Sequence, residues 1–257
     1  MKLIIHIGYP KSASTSLQQS LYNQNKVYYP KHGIHHYEHI AIPLKLKGLD
    51  PWTAQWISQE WVDQEFDALV SEINNSNQTT VISSERLTNI TIEQLLKLQE
   101  LFLETIDIEL LLLYRPKEEH IKSIWRHAVY RHDLDEDFSK FSKQFINFEP
   151  LDCLKKFSGH FQVHALNIKD KSWEERLNKI ISTDIKLTHE NMSVPYECCY
   201  FLQQIHQTIG SKRFKEYFKP EIKKDFSMLF NNLEDTLIDK FDVPILKPPY
   251  LQNRRDF

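Results

Sequence analysis

Cysteine is scarce in this sequence, and long apolar runs are absent from it. Only three cysteines occur among the 257 residues, and their odd number and spacing argue against a disulfide framework or a metal site. No apolar stretch approaches the roughly 20 residues of a membrane helix, and polar residues follow the short apolar start where a signal peptide would remain hydrophobic. We therefore expect a cytoplasmic protein with reduced thiols and no membrane span.

An excess of charge of either sign is also missing. Lysine and arginine number 32 against 35 aspartates and glutamates, a formal net charge of -3, so no overall field would hold a nucleic-acid backbone. Any anionic ligand must therefore be bound by a local site. With 41% hydrophobic residues, the chain has enough apolar material to form a single domain over residues 1–257.

Three short apolar runs predict buried strands, each followed by a helical stretch. They are Lys2 to Ile7, Thr80 to Ser83 and Glu109 to Tyr114. This alternation is typical of a parallel sheet flanked by helices, a three-layer α/β/α arrangement. Beyond Phe138 the chain is predicted to be mainly helical, with a weaker strand at Phe161 to Leu166. The expected fold class is therefore α/β with a largely helical C-terminal part.

Two different segments separate the first helix from the second strand. Trp52 to Ile73 carries apolar residues at mostly helical spacing and predicts a covering helix. Lys26 to Asp50 contains many histidines and tyrosines together with proline and glycine, and is predicted to be irregular. Loops of this length are often functional, so we expect this segment to contribute to a binding site.

The loop between the first strand and the first helix is built like a phosphate cradle. Ligands bind at this position in α/β sheets, where free N–H groups and the helix dipole favour an anion by about 0.3–2 kcal/mol. The residues concerned are Pro10, Lys11, Ser12, Ala13, Ser14, Thr15 and Ser16. The order of Gly8, Lys11 and Ser12 does not match a Walker A loop. The alternative interpretation is a serine-rich helix cap with a solvated lysine.

A second anion site is predicted at the end of the strand Glu109 to Tyr114. Arg115 follows that strand directly, and its planar guanidinium suits bidentate binding of phosphate. Ser123, on the first turns of the next helix, would add a hydroxyl. The alternative is that Arg115 pairs with Glu118 or Glu119 at the surface. Two such sites at the ends of two parallel strands favour a 3′,5′-bisphosphate over ATP.

Together the two motifs resemble those of sulfotransferases, in particular bacterial ones. Pro10 to Gln18 (PKSASTSLQ) is similar to the PKSGTTWLQ-type donor loop of that family, and Tyr114 to Ser123 (YRPKEEHIKS) is similar to its 3′-phosphate motif. The resemblance covers residues 2–195, where Asn191-Met192-Ser193 is a weaker landmark. It leaves residues 196–257 as a helical extension and a proline-containing tail.

The resemblance implies a P-loop-like fold and a nucleotide sulfate donor. The donor would be 3′-phosphoadenosine 5′-phosphosulfate (PAPS), with the bisphosphate PAP as product and no metal required. In that family the loop wraps the 5′-phosphosulfate, and the second motif binds the 3′-phosphate. Ala13 stands where the family usually has glycine, and we expect a negative φ there because alanine is tolerable only in that case.

The same resemblance suggests residues for the transfer itself. Lys11 is expected to stabilise the leaving phosphate oxygen. Glu85, in the segment Ser83-Ser84-Glu85 after the second predicted strand, is expected to be the base that accepts the acceptor's proton. Two alternatives stay open: Glu85 caps the next turn or pairs with Arg86, or the base is a histidine of the 32–39 loop. The candidate histidines are His35, His36 and His39.

Other functions remain possible at this stage. One is a nucleotide kinase with a degenerate phosphate loop, which would need ATP and Mg²⁺, and another is a non-catalytic PAP-binding protein. The acceptor is not determined by the sequence, because a carbohydrate, a lipid or a small molecule would present a hydroxyl in the same place.

Overall fold

The computed structural model of the chain describes residues 1–188, 194–225, 227, 228 and 230. The strands are β1 (Lys2–Ile7), β2 (Ile34–His35), β3 (Glu38–His39), β4 (Thr80–Ser84), β5 (Asp107–Tyr114) and β6 (Gln162–Asn167). The helices are α1 (Ser14–Asn23), α2 (Ala41–Lys47), α3 (Gln59–Asn74), α4 (Ile92–Gln99), α5 (Lys117–His132), α6 (Phe138–Lys143), α7 (Asp152–Lys155), α8 (Trp173–Ile181) and α9 (Tyr196–Tyr217).

Four strands form one parallel sheet in the order β4-β1-β5-β6. Ile5 on β1 lies opposite Ile82 on β4 and Leu110 on β5. The three strands predicted from the apolar runs are confirmed, and the weaker predicted strand is observed as β6. Because parallel strands end at the same edge of a sheet, the loops after β4, β1 and β5 begin side by side.

Both faces of this sheet are covered by helices. On β1, Leu3 and Ile5 pack into one apolar cluster with α2, α3 and α4, whereas Ile4 packs into a second cluster with α1 and α8. All three side chains are completely buried, and each such burial contributes about 1.5–3 kcal/mol. A parallel sheet between helical layers is the predicted fold class, which is confirmed.

The segment from residue 26 to 50 is more regular than predicted. It contains the β2-β3 hairpin and helix α2. The two residues of the hairpin turn, His36 and Tyr37, have φ values of 48° and 69°, as a type I′ turn requires. The Asn-Gly or Asp-Gly pair that usually marks such a turn is missing here, so the sequence pattern did not predict the hairpin.

The covering helix predicted over Trp52 to Ile73 begins later, at Gln59. Ser58 caps it, since its Oγ accepts a hydrogen bond from the Trp61 backbone N–H at 3.1 Å. Residues Thr53–Gln55 form a separate 3₁₀ turn. The carboxylate of Asp50 holds the start of that turn by accepting hydrogen bonds from the backbone N–H groups of Trp52 and Thr53.

The chain divides into two compact units. The first comprises residues 1–124 and 145–192 and contains the parallel sheet. The second comprises the described residues of 125–144 and 193–257. In the second unit Trp125 is completely buried, with ring centroids 5.8 Å from Phe138 and 5.2 Å from Tyr196. This unit is helical, as predicted for the C-terminal part.

The helices in the described ranges include none long and apolar enough to span a membrane. The predicted landmark Asn191-Met192-Ser193 and the proline-containing tail lie outside the described residues.

Candidate functional site

The loop after β1 turns so tightly that its first residue must be glycine. A Cβ atom on Gly8 would lie 2.5 Å from Ser14 Oγ and 2.7 Å from Cε1 of His6. Both neighbours are completely or almost completely buried, so neither has free space to move into. The close approach brings the end of β1 against the first turn of α1.

Two residues of this loop have left-handed backbone conformations. The φ value is 70° at Lys11 and 64° at Ala13, so the expectation of a negative φ at Ala13 is wrong. Ala13 is the residue at which the chain turns into α1, and its carbonyl accepts the first helical hydrogen bond from Leu17 N at 3.1 Å. A left-handed conformation costs an L-residue about 1–2 kcal/mol. Left-handed residues followed by helical ones are typical of backbone nests that bind anions.

The hydroxyls of the loop differ in their surroundings. Ser12 is completely buried, and its Oγ has no hydrogen-bond partner among the residues that the structure describes. Ser14 is also buried and hydrogen-bonds to the carboxylate of Glu85. Ser16 is buried as well, whereas Pro10 and Thr15 are exposed. The loop thus offers one exposed hydroxyl and one buried hydroxyl without a partner.

The two predicted anion sites are in contact. Arg115, directly after β5, donates a hydrogen bond from Nε to the carbonyl oxygen of Lys11 at 2.5 Å. The carboxylates of Glu118 and Glu119, the alternative partners of Arg115, lie 2.7 and 3.6 Å from Nζ of Lys122. The guanidinium therefore lies against the loop after β1, as the phosphate-clamp interpretation requires.

Helix α5 packs against the same loop at its first turns. The ring of His120 is buried and lies 5.4 Å from the ring of Tyr9 and 5.0 Å from that of Phe148. Burial and the nearby charge of Arg115 lower the pKa of His120 to about 4. Ser123, three residues further on, is buried on the same side of the helix. Its position places a hydroxyl beyond Arg115 on the helix that contacts the loop.

Glu85, the first residue after β4, interacts with the loop and with a second carboxylate. Burial raises its pKa to about 7, and the negative charge of Glu38 adds to this shift. The hydrogen bond from Ser14 and the positive charge of Lys11 act in the opposite direction. Glu85 therefore interacts with both loop residues, and its raised pKa makes it a stronger base than an exposed carboxylate.

The histidines of the 32–39 loop have other surroundings. His39 is completely buried, with Nε2 3.1 Å from the carbonyl oxygen of Pro30 and Nδ1 accepting from the Ser83 backbone N–H at 3.2 Å. Burial lowers its pKa to about 4. Both ring nitrogens are thus used to hold the segment on β4.

His35 and His36 line a pocket together with Glu38 and Arg86. Across the described part of the chain, no group of three or more histidines, cysteines and carboxylates has a metal-binding arrangement.

Several residues that support the site were missed by the sequence analysis. Nδ1 of His6 lies 2.7 Å from Ser83 Oγ, which also accepts a hydrogen bond from Gln18 Nε2 at 3.0 Å. This network ties β1, β4 and α1 together beneath the loop. His6 could have been found from the sequence, because it is a polar residue inside the apolar run KLIIHI. Glu38 gave no signal, because its effect on Glu85 depends on contacts that are distant in sequence.

Comparisons with known proteins find solved structures that are similar at low identity. No family model and no curated protein matches the chain. Among solved structures, a sulfotransferase domain from the curacin biosynthetic pathway is 12% identical, with a TM-score of 0.43 over 72% of this chain and 76% of that one. The mouse sulfotransferase SULT7A1, complexed with PAP, is 11% identical with a TM-score of 0.41 over 92% and 86% of the two chains.

A third similar structure belongs to the PezAT chromosomal toxin-antitoxin system of Streptococcus pneumoniae. It is 12% identical, with a TM-score of 0.37 over 93% of this chain and 86% of that one. Similarities of this size do not bear on what the chain binds or catalyses. The chain is an α/β protein with a candidate anion site at the carboxyl edge of its parallel sheet.

Proposed function

We propose that this protein is a sulfotransferase that moves a sulfuryl group from PAPS to a hydroxyl of an acceptor. The observation that carries the proposal is the convergence of three groups from three adjacent strand ends. Arg115 after β5 donates a hydrogen bond to the carbonyl oxygen of Lys11 after β1. The positive charge of Lys11 lowers the pKa of Glu85 after β4. A cation, a phosphate-binding loop and a carboxylate base at one edge are the parts that sulfuryl transfer needs.

Each group has a role in the proposed reaction. The loop Pro10 to Ser16 binds the 5′-phosphosulfate through its backbone N–H groups and hydroxyls, and Arg115 and Ser123 bind the 3′-phosphate. Glu85 takes the proton of the acceptor hydroxyl while the acceptor oxygen forms a bond to sulfur. The bond from sulfur to the 5′-phosphate oxygen breaks, and Lys11 stabilises the negative charge that develops on that oxygen. PAP and the sulfated acceptor are the products, and no step requires a metal.

The unusual basicity of Glu85 supports its assignment as the base. A carboxylate with an ordinary pKa is a poor acceptor for a hydroxyl proton, and a pKa near the working pH is the most effective value for a general base. The carboxyl is shifted into this range by burial and by Glu38. It is also held beside the donor loop by its hydrogen bond to Ser14.

Thermal unfolding with nucleotides tests the donor assignment. PAP without metal, at about 100 times its dissociation constant, adds about 2.7 kcal/mol to the free energy of unfolding, which corresponds to a rise in Tm of about 5–10 °C for a chain of this size. Lys11→Ala and Arg115→Ala should reduce this rise. Lys97→Ala, which removes an exposed lysine from α4, is the matched control and should leave it unchanged.

The same assay separates the alternatives. A rise in Tm with ATP and Mg²⁺ but not with PAP would contradict the proposal and favour a kinase. If PAP binds, transfer of labelled sulfate from PAPS to a pool of cellular acceptors distinguishes an enzyme from a non-catalytic PAP-binding protein. Glu85→Gln should abolish transfer and retain the rise in Tm with PAP.

A further inference from the structure

A pocket is lined by Arg86, which follows Glu85 in the sequence, and by Glu38, which hydrogen-bonds to Ser84 and Arg86. It has a volume of about 520 Å³, within the range of sites for small molecules. We name it the tryptophan pocket, and its lining residues are His35, His36, Glu38, Ile40, Trp52, Trp56 and Arg86. All of them belong to the unit that contains the sheet.

One wall of the tryptophan pocket is formed by exposed aromatic rings. Trp52 is 63% exposed and Trp56 is 40% exposed, which is unusual for side chains of this size. Their ring centroids are 5.3 Å apart at an interplanar angle of 77°, and His35 lies 4.6 Å from Trp56 at 36°. The hydrogen bonds from the 3₁₀ turn to Asp50 hold this wall in place. The wall is therefore preformed and open to a ligand.

Charged side chains also line the tryptophan pocket, and Arg86 is held against the turn that carries Trp52. Nη1 of Arg86 donates to Thr53 Oγ1 at 3.2 Å and lies 3.8 Å from the carboxylate of Asp50. Oε1 of Glu38 accepts a hydrogen bond from Ser84 Oγ at 2.5 Å. The pocket thus offers both hydrogen-bond donors and acceptors without an excess of either charge.

Glu38 connects the tryptophan pocket to the proposed base. Its Oε1 atom also lies 3.4 Å from the backbone N–H of Arg86, so it contacts the residues on both sides of Glu85 in the sequence. Glu85 in turn hydrogen-bonds to Ser14 of the donor loop. Glu38 therefore joins the lining of the pocket to the segment that carries Glu85, and Glu85 joins that segment to the loop after β1.

We propose that the tryptophan pocket binds a neutral saccharide as the acceptor and presents one of its hydroxyls to Glu85, an inference that rests on the proposed function. A sugar ring has an apolar C–H face that stacks on an indole and an edge of hydroxyls that hydrogen-bond to charged side chains. A hydrocarbon chain or a simple phenol would cover Glu38 and Arg86 without offering them enough partners, which is costly. The balance of charge favours a neutral ligand over an anionic one.

A glycan array probed with the full-length protein in the presence of PAP tests this inference. The best neutral ligand of the array is then titrated calorimetrically into the wild type and into Trp52→Ala and Trp56→Ala. We expect each substitution to weaken saccharide binding at least about tenfold, as for an aromatic residue at the centre of a binding site. Tyr217→Ala removes an aromatic side chain that is 63% exposed in the other unit, and it should leave binding unchanged.

The outcomes separate this inference from the proposed function. Binding of no neutral saccharide, or equal binding by the wild type and both tryptophan variants, would overturn the pocket assignment. Binding of 2-naphthol, a phenolic probe, without binding of neutral saccharides would also overturn the assignment of a saccharide to the pocket. The rise in Tm with PAP is measured on every variant. Its absence from the wild type would refute the donor site, whereas the saccharide titrations alone decide the pocket assignment.

Discussion

Replacing Ala13 by glycine relieves a backbone strain in the loop after β1. The φ value of 64° at Ala13 costs an L-residue about 1–2 kcal/mol, and glycine adopts it without this cost. Two effects oppose the gain: glycine loses more chain entropy on folding, about 0.4–1 kcal/mol, and the methyl group of Ala13 packs against the apolar cluster of α1 and α8. The net change in the free energy of unfolding is therefore small.

A matched substitution isolates the strain. Ala68 lies inside α3 and, like Ala13, is half-buried. Like Ala13→Gly, Ala68→Gly removes a methyl group and increases the chain entropy lost on folding, but it relieves no strain. It should destabilise the protein by about 1 kcal/mol. Subtracting the two changes cancels what they share, so Ala13→Gly should be the more stable variant by about 1–2 kcal/mol.

Urea denaturation of both variants measures this difference, provided that the m-value is the same in each. If Ala13→Gly loses as much stability as Ala68→Gly, the left-handed conformation is not strained or the loop has another conformation. In that case the interpretation of the loop as an anion-binding nest would also lose its support. Binding of PAP by Ala13→Gly, followed by the rise in Tm, shows whether the loop remains functional.

The remaining predictions concern charge. The folded-state pKa of Glu85, about 7, lies above its unfolded value. The contribution of Glu85 to stability is therefore complete below about pH 4.5 and is lost as the pH rises through 7. Glu85→Gln should thus raise Tm relative to the wild type at pH 8 and leave it similar at pH 4. Sulfate transfer should increase with pH through about 7, and Glu38→Gln should move this midpoint to lower pH by removing a negative charge. Lys11→Ala should reduce kcat by about 10² or more in a transfer assay. Arg115→Lys should weaken PAP binding in calorimetry because a lysine cannot replace the bidentate fork, whereas equal binding would argue against a phosphate at this residue.

The strands of the sheet were predictable from the sequence because they are buried on both faces. Such strands contain apolar runs, which are clear in β1 and β5, whereas β4 has only Val81 and Ile82 between residues with hydroxyl groups. The ends of these strands mark the loop positions, so the sequence alone assigns Lys11, Glu85 and Arg115 to one edge of the sheet. The hairpin of β2 and β3 has two residues in each strand, too few for a pattern of alternation.

The amino-acid sequence by itself determined the α/β fold class and which loops meet at the carboxyl edge, because apolar periodicity and chain order depend only on neighbouring residues. The tertiary structure decided the rest. The sign of φ at Ala13 follows from how β1 is joined to α1, and the basicity of Glu85 follows from burial and from Glu38. The tryptophan pocket likewise joins residues from separate segments of the chain. Dihedral strain, electrostatic shifts and cavities arise from distances in space, which the order of residues along the chain does not contain.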